Sequence, residues 1–238
     1  MAIHHKSVKY WNDMASGSWA NARDAVLIGF RDATSFDRAG LEDARHLILP
    51  FIKKNYRVLD VGCGIGRLLK YVAPHCAHIT GLDISKSMLT KAKKRTSNLL
   101  NTEVRVMPVS LKFPVKRKSF DFAYFYHVSE HMDRENTFKI LQEIRRVLKS
   151  KGRALIQFSL IDYPDNQLEF QKWARLGDEE NVRSRFYTEQ EANIMLRLSN
   201  LHPQYRLYIP GEFTVIATIN DTRELGQMPV FPLNTTSK

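Results

Sequence analysis

Between Val58 and Leu69 an apolar, strand-like run breaks into Gly62, Gly64 and Gly66 and then resumes with helical apolar character. Glycines so spaced strip a turn of side chains, let backbone approach a ligand, and aim unpaired helix N–H groups at a negative group. That is chemistry for holding a nucleotide-like cofactor. The missing Gly-Lys-Ser/Thr ending excludes a Walker phosphate loop. Arg67 stands where the dinucleotide fingerprint has its third glycine, which weakens an NAD reading. Downstream, Ala77 to Asp83 reads as a second strand ending on a carboxylate. A parallel strand would deliver Asp83 beside the glycine loop, where it can accept two hydrogen bonds from a ribose diol. A further reactive set, Tyr126, His127, Glu130 and His131, follows the apolar run Phe120 to Phe125. Ligands of open α/β sheets bind beyond such strand ends.

These stretches form an ordered series of motifs: Asp60-x-Gly62-x-Gly64-x-Gly66; Gly81-Leu82-Asp83-Ile84-Ser85; Ser119 to Tyr124 followed by Val128-Ser129-Glu130-His131; Leu148 to Arg153; and Arg185-Phe186-Tyr187-Thr188. The series resembles the class I S-adenosylmethionine-dependent methyltransferases over roughly residues 40 to 220. The resemblance implies S-adenosyl-L-methionine as cofactor, bound by Asp60, Gly62, Cys63, Gly64 and Gly66 in the loop, by Asp83 and Ile84 after it, and by Tyr126. Many relatives carry an acidic residue after the third strand that contacts the adenine amino group. The corresponding Val106 to Ser110 has no carboxylate. Adenine binding then falls to backbone groups, to Ser110, or to apolar packing from Met107 and Leu111.

A sulfonium methyl group is already electrophilic, so catalysis mainly requires alignment of a nucleophile and exclusion of water. His127 or His131 suits a general base toward a hydroxyl or phenol, and Glu130 completes the candidate catalytic set. The same side chains can equally cap or bond neighbouring backbone. The run His127-x-x-Glu130-His131 is loosely similar to the acidic and His sets with which some quinone-pathway and small-RNA methyltransferases hold a divalent ion. His127 stands where those enzymes usually have Glu, and no metal is expected.

The elements that must position these groups alternate strand and helix, with strands near 57–61, 77–83, 103–107, 120–126 and 153–160 and a final hairpin at 204–209 and 213–219. The expected fold is α/β, a Rossmann-like, mostly parallel seven-stranded sheet with helices on both faces and a C-terminal antiparallel hairpin. An apolar stripe over 37–54 predicts a helix before the first strand. Ser85 and Asp133 read as helix N-caps, and Thr188-Glu189-Gln190-Glu191 has capping-box spacing. Residues 1–36 are expected to form a helical cap, 37–220 the core domain, and 221–238 an irregular tail. An insertion at 160–186, with Tyr163, Phe170, Trp173, Arg175, Arg183 and Arg185, is the expected place for acceptor selection.

The chain has 238 residues, 43% of them hydrophobic, enough for one domain with a substantial core. No apolar run spans a membrane and the N-terminus lacks a signal-peptide core, so a cytoplasmic protein is expected. Two cysteines exclude a disulfide framework. The net charge is +11, and between Lys86 and Lys118 ten basic residues face one acidic, Glu103. That segment is either a polyanion-binding face or a solvated edge of the sheet. The leading expectation is methyl transfer to a small organic acceptor. The alternatives are an RNA or other macromolecule methyltransferase that docks through 86–118, or a non-catalytic cofactor-binding subunit. The sequence does not set the oligomeric state.

Overall fold

The alternation resolves into one mixed sheet covered by helices. The computed structural model of the chain describes residues 5–27, 29–176, 184–219 and 226–227. Its strands are β1 (Arg57–Val61), β2 (His78–Asp83), β3 (Thr102–Val106), β4 (Phe120–Phe125), β5 (Leu148–Ser159), β6 (His202–Leu207), β7 (Glu212–Thr218) and β8 (Gly226–Gln227). They lie in the order β3-β2-β1-β4-β5-β7-β6-β8. The first five pair in parallel, and β7 runs antiparallel to both β5 and β6. The expected seven-stranded sheet is therefore present with its terminal hairpin. Gly226–Gln227 adds a short eighth strand, parallel to β6, inside the stretch expected to be irregular. Residues 220–225 and 228–238 lie outside the described residues.

The strand order reverses between β1 and β4, so the helices that follow these two strands diverge to opposite faces. A crevice opens at their carboxyl ends. The helices are α1 (His5–Ser16), α2 (Trp19–Val26), α3 (Ala33–Asp43), α4 (Leu69–Val72), α5 (Lys86–Arg95), α6 (Arg134–Val147), α7 (Pro164–Leu176) and α8 (Glu189–Leu198). Ser85, Asp133 and Thr188 each cap the helix that follows, Thr188 with the full capping box to Glu191. The single helix expected over 37–54 is instead three pieces. α3 starts on the Asp32 cap, and after it come a π turn (Ala44–Ile48) and a 3-10 turn (Leu49–Phe51). Pro50 lacks the N–H that would carry the helix onward. The fifth strand also begins earlier than expected, because Leu148 pairs with Phe120 before a bulge and Arg153 with Phe122 after it.

Side chains alternate between two apolar layers, as a sheet covered on both faces demands. Leu59, Leu82, Phe125, Ile140, Ile156 and Phe213 fill one layer. Val58, Leu69, Ile79, Phe122, Leu155 and Ile216 fill the other. A third, smaller cluster of Ala15, Ala22, Phe36, Ile65 and Met88 seats the N-terminal helices on the glycine loop and α5. Polar contacts fix the same seat: Asn12 Oδ1 accepts from Ser85 Oγ (3.0 Å) and the Ser87 N–H (3.1 Å), and Lys91 Nζ donates to the Gly17 carbonyl (3.1 Å).

The approach of β2 to the loop leaves no room at Gly81, where an added Cβ would lie 2.8 Å from Cys63 Sγ and 2.9 Å from Leu69 Cδ1. Gly81→Ala is therefore expected to cost about 1–3 kcal/mol, as overpacking of a tight interior does. Urea unfolding measures this, and an unchanged midpoint would refute the packing argument.

Candidate active site

At the carboxyl ends of β1, β2 and β4 a cavity of about 200 Å³ is bordered by Gly62, Gly64, Asp83, Ile84, His127 and His131, among others. The loop that floors it takes left-handed backbone at each glycine, with φ of 81° at Gly62, 52° at Gly64 and 79° at Gly66. At Gly62 a side chain would also force Val128 to move, since a Cβ would stand 2.4 Å from Val128 Cγ2. The loop's N–H groups do not wait for a ligand. Those of Gly62 and Cys63 both donate to the Leu82 carbonyl (2.7 and 2.9 Å), and that of Gly64 donates to Asp83 Oδ2 (2.9 Å). The N–H groups of Gly62, Cys63 and Gly64 are thus engaged inside the protein, and the helix beyond the loop has only four residues.

Asp83 also accepts the Ser85 N–H on Oδ1 (2.8 Å) while it borders the pocket. Burial pushes its pKa up to about 6, although backbone N–H groups of Ser85, Gly64 and Ile84 oppose the rise. Asp60 lies beneath the floor rather than in it. Tyr124 Oη donates to Asp60 Oδ2 (2.8 Å) and ties β4 to β1, and Asp60 is buried, with 4% of the residue exposed. Burial, aided by the charge of Asp83, pushes Asp60 up to about 8. Arg67, in place of a third glycine, is buried in an ion pair with Asp43. Its stem passes Gly40, where a Cβ would come within 3.0 Å of Arg67 Cγ.

The fourth-strand groups form an electrostatic cluster. His127 has left-handed backbone (φ 55°), and its N–H donates to Oε1 of the buried Gln157 on β5 (3.2 Å). Its Nδ1 lies 3.3 Å from Glu130 Oε1 and its Nε2 lies 3.9 Å from Glu212 Oε1 on β7. Burial alone would neutralise the imidazole, but the hydrogen bond and charge of Glu130, with Glu212, outweigh it and raise its pKa. Burial works against ionised Glu130 as well, yet His127 and His131 hold it down at about 2. Glu212 is pushed up to about 7, mainly by burial. His131 is different: burial, helped by the charges of His127 and Arg185, lowers its pKa, so it is neutral at pH 7. The edge of Trp11 on α1 packs on the His131 ring, with centroids 4.9 Å apart.

Of the residues singled out in the sequence, Gly62, Gly64, Asp83, Ile84, His127 and His131 border the pocket. Asp60, Cys63, Gly66, Leu111, Tyr126 and Glu130 stand behind it, and Ser110 is exposed. Among the described residues of the insertion, Phe170 is exposed, the Trp173 indole donates to Glu169 and Tyr163 packs at Gly211, while Arg185 borders the pocket. Arg183 lies outside the described residues. Sequence reasoning missed Glu212 and Gln157, which join the cluster from distant strands and carry no local signal. It missed Asn136 on the pocket wall as well, whereas Trp11 comes from the N-terminal segment expected to form the cap. Among the described residues no group of three or more His, Cys, Asp or Glu side chains is placed to hold a metal ion, and no helix is long and apolar enough to cross a membrane.

Residues 59–156 match the methyltransferase domain family. A sterol 24-C-methyltransferase of Gibberella zeae is 32% identical over 185 residues, which span 72% of this chain and 46% of that protein. A demethylmenaquinone methyltransferase of Thermotoga maritima is 39% identical over 104 residues, 42% of each chain. Among solved structures, a SAM-dependent methyltransferase from Aquifex aeolicus aligns with a TM-score of 0.58 at 25% identity, over 77% of this chain and 93% of that one. The chain spans about half or less of the length of the curated relatives it matches.

The buried acids make stability depend on pH. Asp60, Asp83 and Glu212 release their protons near 8, 6 and 7 when folded, against ordinary values of 3.8, 3.8 and 4.5. Across that window the folded chain binds more protons than the unfolded chain, so stability falls as pH rises. The raised pKa of His127 acts in the same direction: its contribution is full below the unfolded value and is lost through the folded one. Glu130, held down at about 2, contributes fully above its ordinary 4.5, and that contribution is lost as pH falls toward 2. The cofactor-free protein should melt highest near about pH 5 and lower at pH 8, and Asp60→Asn should flatten the decline. A melting temperature that climbs steadily from pH 5 to 8 would contradict this.

Proposed function

We propose that this chain, which belongs to the class I S-adenosylmethionine-dependent methyltransferase family, transfers a methyl group to a small organic acceptor by direct displacement. One observation carries the reading: a single cavity joins the glycine loop and Asp83 to a wall bearing His127, His131 and Arg185. The cradle fits the cofactor. Gly62 and Gly64 border the cavity with bare backbone that the methionyl part can approach, Asp83 retains acceptor capacity for the ribose hydroxyls, and Ile84 and Met107 offer apolar faces to the adenine. S-adenosylmethionine bound there supplies an already electrophilic methyl group. The protein's share is to align the acceptor and exclude water.

The acid–base roles divide by charge state. His131 is neutral at pH 7 and borders the pocket, which suits it to take the acceptor's proton. His127, paired with Glu130 and faced by Glu212, stays cationic longer and suits orientation of an electron-rich acceptor. Trp11, Ala25 and Val26 from α1 and α2 border the same cavity and shield it from water. Relatives named as sterol and demethylmenaquinone methyltransferases act on small molecules, which favours an acceptor of that size.

The basic segment supports an RNA acceptor less well. Lys91 is engaged with Gly17 and the Trp19 ring, Arg95 with Asp37, and Arg105 with Glu103. Lys116 to Lys118 lead into the start of β4, where the Lys118 N–H meets the carbonyl of Arg146 at the far end of the sheet from the pocket.

Asp83→Ala is expected to weaken binding of S-adenosylhomocysteine by at least about tenfold, as loss of a charge-assisted contact does; calorimetry giving unchanged affinity would remove the ribose assignment. With methyl-labelled cofactor and an extract of the host cell, label should appear in the small-molecule fraction, and His131→Ala should reduce it about 10²-fold or more if it is the base. RNase-sensitive label would instead move the acceptor to RNA. Cofactor binding with no label in any fraction would favour a non-catalytic subunit.

A further inference from the structure

The two edges of the sheet end differently. On one side the short strand β8 covers β6 at Tyr205 and Arg206, while on the other β3 pairs with β2 alone. The register of β3 sets which of its groups are left over. The Asn101 carbonyl accepts the Ile79 N–H (2.9 Å) and the Met107 N–H donates to the Asp83 carbonyl (2.8 Å), so odd-numbered residues turn their backbone toward β2 and even-numbered ones turn it outward. The Thr102 N–H closes a turn onto the Leu99 carbonyl (3.4 Å). The N–H and C=O groups of Val104 and Val106 meet no partner among the described residues. An uncovered edge of this kind is a template for a further strand.

The surface around this edge is apolar at its ends and basic along its rims. Leu100 before β3, Val106 at its end and Val109 after it are exposed. On one face a groove of about 410 Å³ runs between β3 and α5, lined by Lys93, Ser97, Thr102 and Val104 among others. On the opposite face Arg105 donates to the Pro114 carbonyl (2.7 Å), which brings the loop bearing Lys112 and Lys116 alongside the strand. Lys93, Lys94, Lys112, Lys116 and Arg117 are exposed, and among the described residues no acid pairs with any of them. Glu103, the single acid between Lys86 and Lys118, already faces Arg105 and His78.

We propose that β3 is a docking edge for an extended, acidic segment of a partner protein, which adds a strand to the sheet by pairing with Val104 and Val106. Main-chain bonds hold such a strand, apolar side chains cover the exposed valines, and acidic ones meet the lysines of the two rims. A nucleic acid fits the edge less well. Its phosphates are acceptors only, so they would leave the carbonyls of Val104 and Val106 without donors. A second copy of the chain fits less well too. Antiparallel pairing of two β3 strands about Val104 would set Glu103 opposite Arg105, but it would also bring the two α5 helices together on one face, Lys93 and Lys94 against their own copies. The surface lies outside the cavity, and the assignment does not depend on the methyl acceptor.

The test uses the full chain and a synthetic peptide, acetylated and amidated Val-Glu-Val-Glu-Val-Glu-Val, with the counterpart carrying Lys for each Glu as control. Amide exchange followed by NMR should slow at Val104 and Val106 by at least about tenfold when the acidic peptide is added, because those N–H groups gain acceptors, with little change at Glu103 and Arg105, which already face β2. The Lys peptide should bind at least about tenfold more weakly. Val104→Pro removes one outward N–H at an edge position, where proline is tolerated, and Lys93→Glu combined with Lys112→Glu reverses the charge of both rims; each change should weaken the acidic peptide about tenfold. Thermal melting shows that the variants are folded, and the charge variant stands alone should the proline variant fail to fold. Exchange that stays fast at Val104 and Val106 with peptide bound, equal affinity for the two peptides, or binding of neither overturns the proposal. Protection of Val104 and Val106 without peptide, in a protein that sediments as a dimer, overturns it in favour of a second copy. Protection by oligouridylate and not by the acidic peptide overturns it in favour of a nucleic acid.

Discussion

The pocket depends on how the glycine loop is tied to the end of β2. The Leu82 carbonyl takes two N–H groups from the loop, and the Asp83 carboxylate takes one from the loop and one from the start of α5. Four hydrogen bonds within two residues thus join β1, β2 and α5 at the point where the cofactor must enter. Glycine takes the left-handed turns this requires at 62, 64 and 66 without the steric cost a side chain would bring. The same bonds explain the chemistry of the site. Three loop donors are engaged inside the protein, while each Asp83 oxygen, taking one of these bonds at the pocket wall, retains a second lone pair.

A second layer of control is electrostatic. One imidazole, His127, sits between two carboxylates, and Gln157 holds its strained backbone. A second imidazole, His131, four residues on, has no such partner on its buried Nδ1. The two imidazoles consequently shift in opposite directions within one pocket, His127 toward the charged form and His131 toward the neutral one. Glu212 reaches the cluster because β7 is hydrogen-bonded beside β5, so the terminal hairpin contributes to the site as well as closing the sheet.

The N-terminal helices and the basic segment are two sides of one contact. Two of the six basic residues between Lys86 and Arg105 hold the N-terminal helices: Lys91 grips Gly17 and Trp19, and Arg95 reaches Asp37 across Phe36. The excess of lysine and arginine in that segment is partly the means by which the cap is held over the cavity. A charge count along the chain cannot separate an interaction face from an internal clamp, because pairing depends on what folds against each side chain.

The sequence by itself determined the sheet, its parallel core and terminal hairpin, the glycine loop, Asp83 at the end of β2 and three of the helix caps. These follow from short-range rules: apolar periodicity, glycine at turns, and hydroxyl or carboxylate side chains three residues ahead of a helix N–H. It placed strand ends within a few residues and missed the break near Pro50 and the early start of β5, because both depend on which neighbour a residue pairs with. The site was legible only where a motif lies in one stretch of chain, as with Gly62, Gly64, Asp83, His127 and His131. Tertiary structure alone decided that Asp60 supports the floor through Tyr124, that Arg185 but not the aromatics of the insertion meets the pocket, and that Glu212, Gln157, Trp11 and Asn136 join it. Those contacts join residues tens of positions apart, and their charge states are set by burial, which no local pattern of residue types encodes.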